Sequence, residues 1–194
     1  MSLSVKKLYT KYSTAALIIS ISAVFFLSCS DTKPSDPTAS FIKNDYFDTE
    51  LFFKTEVDSL KQANPEVEKT VSKENETETK TLKIKNWENE LSSFTAIDLR
   101  KPAYSSEFKI DTIGNQINYT AKNPELDVQR VSILLDEAKN PIEIIVEKST
   151  KNMLYSTDEK LSYAKGAKYS VEKNQSILIL GDNRYIIQGN FISK

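Results

Sequence analysis

Six Ser-x-x-Lys tetrads and a run of alternating glutamates are the residues here whose types and spacing could do chemistry. Ser106-x-x-Lys109, Ser162-x-x-Lys165 and Ser170-x-x-Lys173 would suit a serine nucleophile activated by a lysine base. That chemistry needs the ammonium deprotonated by burial beside the hydroxyl. On a strand, residues three apart point to opposite faces, so these three tetrads cannot meet in that way. The Ser-Asp-Asn and Lys-Thr-Gly partners of such sites are absent. Glu74, Glu76 and Glu78 would share one face of a hairpin and, with Lys73 and Lys80 among them, read as a solvated edge that resists further strand pairing; a weak cation site is the competing reading. The chain contains no histidine, which excludes Ser-His-Asp triads, Cys-His dyads and His-ligated metals. Its four glycines are too scattered for a phosphate-cradling loop, and no calcium-loop spacing occurs. No catalytic residue, metal ligand or cofactor is therefore assigned. A hydrolase using distant paired carboxylates stays open.

One cysteine stands in 194 residues, at position 29. An intrachain disulfide is excluded. Lys6, Lys7 and Lys11 precede an apolar stretch, Ala15 to Leu27, interrupted only by Ser20 and Ser22. It is shorter than the ~20 apolar residues needed to span a bilayer and has the charged and apolar regions of a signal peptide. Phe26-Leu27-Ser28-Cys29 closes it.

This segment resembles the lipobox of bacterial lipoprotein precursors. The resemblance implies a thioether-linked diacylglycerol on Cys29, cleavage between Ser28 and Cys29, and acylation of the new amino group by a chain such as palmitate. Leu27 and Ser28 match the family pattern, and Phe26 stands where leucine is usual. The implied partner is a membrane, reached through lipid on Cys29, and the implied location is the cell envelope. Ser30 follows the cysteine in place of the aspartate that marks inner-membrane retention in some bacteria, which leans toward the outer membrane. Asp58-Ser59-Leu60 and Asp111-Thr112-Ile113 resemble the short acceptors of a general O-glycosylation system of some Gram-negative envelopes.

The elements that would carry any site follow. Residues 1–28 read as the leader, and 29–40 as the lipidated cysteine with a Pro- and Ser-containing tether that has no large apolar residue. Residues 41–194 read as a single α+β domain. Charge is nearly balanced, 26 Lys and Arg against 27 Asp and Glu. Loss of the leader's three lysines moves the net from −1 to −4, which offers nucleic acid no footprint. Helical spacing predicts a helix over 44–62, capped by Asn44 with Asp45 and Asp48 in its first turn. Tyr46, Phe53, Val57 and Leu60 would form its buried stripe, widened by Phe47 and Leu51. A second, shorter helix is predicted over 87–97, capped by Asn86, burying Trp87, Leu91 and Phe94.

Strands are predicted at 67–72 and 76–84, then from Ser105 onward the period becomes two. The later strands read as 126–135, 142–148, 152–156, 160–163, 168–172, 176–180 and 184–191. Connections are too short for crossover helices, so a curved, mainly antiparallel meander of roughly 8–10 strands is expected to pack on the two helices. Ile133–Leu135, Ile144–Val146, Ile177–Leu180 and Tyr185–Ile187 are unbroken apolar runs, which predicts cover on both faces of those strands. Tyr104, Tyr119, Tyr155, Tyr163, Tyr169 and Tyr185 fall on or beside strands; core packing and a sugar- or peptide-binding platform are the two readings. The functional expectation is a non-enzymatic binding or scaffolding domain for a protein or glycan partner. The alternative is a lipid- or lipoprotein-handling protein, whose architecture would be similar to the half-barrel of outer-membrane lipoprotein carriers and receptors.

Overall fold

Asp48 decides where the first helix begins. Its Oδ1 accepts the Leu51 N–H at 2.9 Å and satisfies an amide that the helix end would otherwise leave orphaned. Arg100 holds the same carboxylate at 2.6 Å, and Thr49 Oγ1 donates to the Ile97 carbonyl at 2.6 Å. Helix α1 accordingly runs Thr49–Ala63, which corrects the expected start at Asn44. Just before it, β1 (Ile42–Lys43) and β2 (Tyr46–Phe47) pair antiparallel. Leu51 is 44% exposed, not buried. A 3.6-residue period through Phe53, Val57 and Leu60 puts Leu51 with Lys54, Thr55 and Asp58 on the wet side, and Phe52 fills the stripe. The helix ends as expected: Asn64 turns left-handed at φ 43°, bonds Leu60 O at 2.9 Å, and Pro65 follows.

The computed structural model describes residues 41–43 and 46–192. Ser28, Cys29, the rest of the leader and the tether lie outside the described residues, as do Asn44 and Asp45.

The second helix is kinked into two single turns, α2 (Trp87–Glu90) and α3 (Ser92–Thr95). Asn86 caps it as predicted, its Oδ1 accepting from Asn89 N at 2.9 Å. The kink falls where Ser92 Oγ takes the Asn89 carbonyl at 2.8 Å, a local bond that competes with the helical ladder. Trp87, Leu91 and Phe94 are all buried.

The rest is mostly antiparallel sheet. Strands β3 (Glu66–Lys73), β4 (Glu76–Lys83), β5 (Phe108–Ile113), β6 (Gln116–Ala121), β7 (Val128–Leu135), β8 (Pro141–Lys151), β9 (Tyr155–Ala164), β10 (Lys168–Ile177) and β11 (Gly181–Phe191) form one nine-stranded sheet. From β5 to β11 each strand pairs with the next. The β3–β4 hairpin then joins the far side, β3 against β11, leaving β4 and β5 as edges. Residues 152–156 and 160–163 do not form separate strands; β9 is continuous. Likewise β10 is one strand that stops at Ile177, so the expected strand 176–180 does not exist.

Cross-strand partners form rows across the sheet. One buried row reads Tyr119, Val131, Val146, Leu161 and Val171; the next reads Ile133, Ile144, Tyr163, Tyr169 and Gly189. The helices sit on these rows: Phe52 and Phe53 meet Tyr163 at centroid distances of 6.2 and 5.4 Å, and Trp87 meets Tyr169 at 6.2 Å. The expected cover on both faces is corrected. Leu134, Ile145 and Ile186 point to the opposite face, where they are only half-buried between neighbours such as Ser132, Ser162 and Glu172.

Candidate functional site

Strands β8 to β11 outrun the helices, and the character of their rows changes as they go. After the two apolar rows comes Lys148, Glu159 and Lys173, with Glu159 bridging both lysines at 3.1 and 3.2 Å. Burial alone would raise the Glu159 carboxyl. The two ammonium groups outweigh it and hold the group below its ordinary value. The next row is Thr150, Thr157, Gln175 and Asn183, with Gln175 Nε2 donating to Thr157 Oγ1 at 3.3 Å.

The end of this ribbon is apolar. The β8–β9 turn carries Met153 and Leu154, 93% and 68% exposed, and the β10–β11 turn carries Leu178, Ile179 and Leu180, 78%, 90% and 79% exposed. The two turns are tied together: Leu178 N donates to Leu154 O at 3.0 Å. Each turn is also closed within itself. Asn152 Oδ1 accepts from Leu154 N at 2.9 Å and Tyr155 N at 3.0 Å, and Leu180 N donates to Ile177 O at 3.1 Å. Gly181, at φ +81°, supplies the left-handed step that returns the chain into β11. Five large apolar side chains thus stand together in solvent, more than the scattered singles of an ordinary surface.

This patch corrects the expectation of a doubly covered strand at 176–180. Ile177–Leu180 is apolar without break, and a run of that kind is shared by a doubly covered strand and an exposed turn. Counting pairs would have separated them. The Lys165-Gly166 turn sets Ala164 opposite Lys168, and ten paired residues outward end at Tyr155 and Ile177, which leaves 178–180 beyond the ladder.

The other sequence candidates disperse. Ser162 and Ser170 are paired on the face away from the helices. Lys165 reaches Glu56 Oε1 at 2.7 Å and Lys173 reaches Glu159, both on the helix side. Ser106 is in the loop before β5, its carbonyl held by Lys122 Nζ at 2.7 Å. Glu76 and Glu78 lie exposed on edge strand β4, Glu78 paired with Lys80, while Glu74 sits in the β3–β4 turn. Among the described residues no three acidic or thiol groups converge closely enough to hold a metal ion. An open depression of about 370 Å³ on the face away from the helices has charged and polar residues in its lining, among them Gln129, Glu147, Asp158, Lys160 and Glu172.

The tyrosines split. Tyr104, Tyr119, Tyr163 and Tyr169 are core residues. Three of them bond carboxylates: Tyr163 donates to buried Glu56 at 2.8 Å, Tyr169 to half-buried Glu90 at 2.6 Å, and Tyr104 to Asp127, an exposed residue. Burial first, and then the adjacent negative charge, pushes all three phenols well above their ordinary range. The first two pairs fasten helix to sheet, Glu56 on α1 to β9 and Glu90 on α2 to β10. Tyr155, 40% exposed, and Tyr185 are on the ribbon.

Neither a family model, nor a curated protein, nor a solved structure matches this chain.

Proposed function

We propose that the chain is a cell-envelope lipoprotein, held at a membrane through lipid on Cys29, whose sheet domain acts by binding or scaffolding and not by catalysis. The anchor reading rests on the leader that ends Leu27-Ser28 just before Cys29, and Ser30 favours the outer membrane. The single observation behind a binding role is the filled interior. A carrier would keep its cargo between helices and sheet. Here Phe53, Phe94 and Tyr163 pack ring to ring at 5.1 to 6.1 Å, and Trp87 lies against Tyr169 and Phe191 at 6.2 and 5.9 Å. That packing supports a binder or scaffold for a protein or glycan partner over the lipid- or lipoprotein-handling alternative. The α+β description belongs to the same reading, with the meander curling around its helices: aromatic contacts from the helices reach Tyr163 on β9 and Phe191 on β11.

Metabolic labelling with an alkyne analogue of palmitate tests the anchor. The wild-type protein should carry the label and enter the detergent phase, and Cys29→Ser should do neither. A labelled Ser variant overturns the lipoprotein reading. Native mass spectrometry of a chain beginning at Ser30, purified from cells, tests the filled interior. A reproducible adduct of lipid mass would move the assignment to lipid handling.

A further inference from the structure

We infer that the paired β8–β9 and β10–β11 turns are a bilayer-docking element that inserts Met153, Leu154, Leu178, Ile179 and Leu180 into the acyl zone of a lipid membrane. The inference draws on the Cys29 anchor for its reach, and its chemistry stands on the turns themselves.

Three features select a bilayer as the occupant. The patch is a projecting tip, not a groove or a flat face, and it lies beyond a polar row of Thr150, Thr157, Gln175 and Asn183. A fluid apolar phase accommodates a projection of this kind without a complementary cavity. Four backbone amides of the tip are prepared for low dielectric, Met153 N and Ile179 N being the exceptions. Hydrocarbon offers no partner to a free amide, so a segment that enters it must satisfy its own polar groups. Leu154 N, Tyr155 N, Leu178 N and Leu180 N are all bonded inside the tip, to Asn152 Oδ1 or to carbonyls of the opposite or same turn. The flanking zone fits the polar headgroup layer: beside Tyr155, whose ring is amphipathic, stand neutral Asn183 and the charged Lys151, Asp182 and Arg184, of both signs.

The reach also closes. Phe41 packs on Phe52, and Phe52 on Tyr163, at 5.8 and 6.2 Å. From Tyr163 to Tyr155 the strand advances about 26 Å at its usual rise. The 12 peptide steps from Cys29 to Phe41 extend to roughly 40 Å at most. A lipid on Cys29 and the apolar tip can therefore sit in one bilayer, with the ribbon standing between the membrane and the aromatic core.

The test uses a chain from Ser30 to Lys194, which contains every strand and the whole aromatic core but no acylation site. It is mixed with vesicles of phosphatidylethanolamine and phosphatidylglycerol at 3:1. Co-sedimentation should fall at least about tenfold in Ile179→Asp and in Met153→Asp, with circular dichroism and melting unchanged. A separate Ile179→Trp chain should be quenched by lipids brominated on their acyl chains, while the native Trp87, 2% exposed, is not. Absence of quenching overturns the proposal, as does sedimentation indifferent to both aspartates. So does a dimer in solution that Ile179→Asp dissolves without vesicle binding, since the tip would then seat a second copy. The acylation reading is scored separately by the label on Cys29, so failure of one leaves the other standing.

Discussion

Tyr169 lies directly over Gly189, its partner on the neighbouring strand: a Cβ at 189 would stand 2.2 Å from the ring's Cε1 and 2.3 Å from its Cζ. The missing side chain gives the ring its place, and the ring carries its hydroxyl to Glu90 on α2, which also holds Lys69 at 2.7 Å. One glycine therefore sets how the sheet meets the second helical segment.

Gly189→Ala should destabilise the domain by about 1–3 kcal/mol, the usual cost of overfilling a packed site. In a Tyr169→Ala background the same change should cost much less. A double-mutant cycle by urea unfolding checks this; additive effects would mean that the ring is not what fills the space at 189.

Glu56 ties α1 to β9 through Tyr163 and Lys165. Glu56→Ala strands a buried phenol and should cost about 1–3 kcal/mol. Lys165→Ala removes a half-exposed ammonium and should cost no more than ~1 kcal/mol. Equal losses in denaturant unfolding would contradict this ordering.

Acid should weaken the Lys148–Glu159–Lys173 row. The Glu159 carboxyl is held below its ordinary 4.5 in the folded chain. Above that value its contribution is complete; as pH falls toward the folded value the unfolded chain takes up the proton first, and the contribution is lost. The melting-temperature gap between wild type and Glu159→Gln should narrow below pH 4.5, and a constant gap would argue against the row.

Alkali should act on the three buried phenols. Each is raised above its ordinary 10.0, so the folded chain keeps protons that the unfolded chain releases. Stability from these groups is intact below pH 10 and is lost as pH climbs past it. Absorbance at 295 nm should show their ionisation only together with loss of the circular dichroism signal. Full tyrosinate formation in still-folded protein would contradict the burial of Tyr104, Tyr163 and Tyr169.

Local signals carried far in this chain. Alternation from Phe108 onward, Gly114, Gly166 and Gly181 at turns, and Asn86 and Asn64 at helix ends each specify conformation through nearest neighbours, and the structure has all of them. The separation of Ser170 from Lys173, both within β10, followed from strand geometry alone. The helix start was misplaced because the aromatics Tyr46 and Phe47 extend a helical spacing while pairing as β2. Only the assembled fold decided the rest. That β3 closes on β11, some 110 residues apart, rests on register between distant strands. That Ile177–Leu180 ends in water rests on where the ladder with β9 runs out. Apolar composition says a residue can be buried; only the length of its neighbours says whether anything remains to bury it.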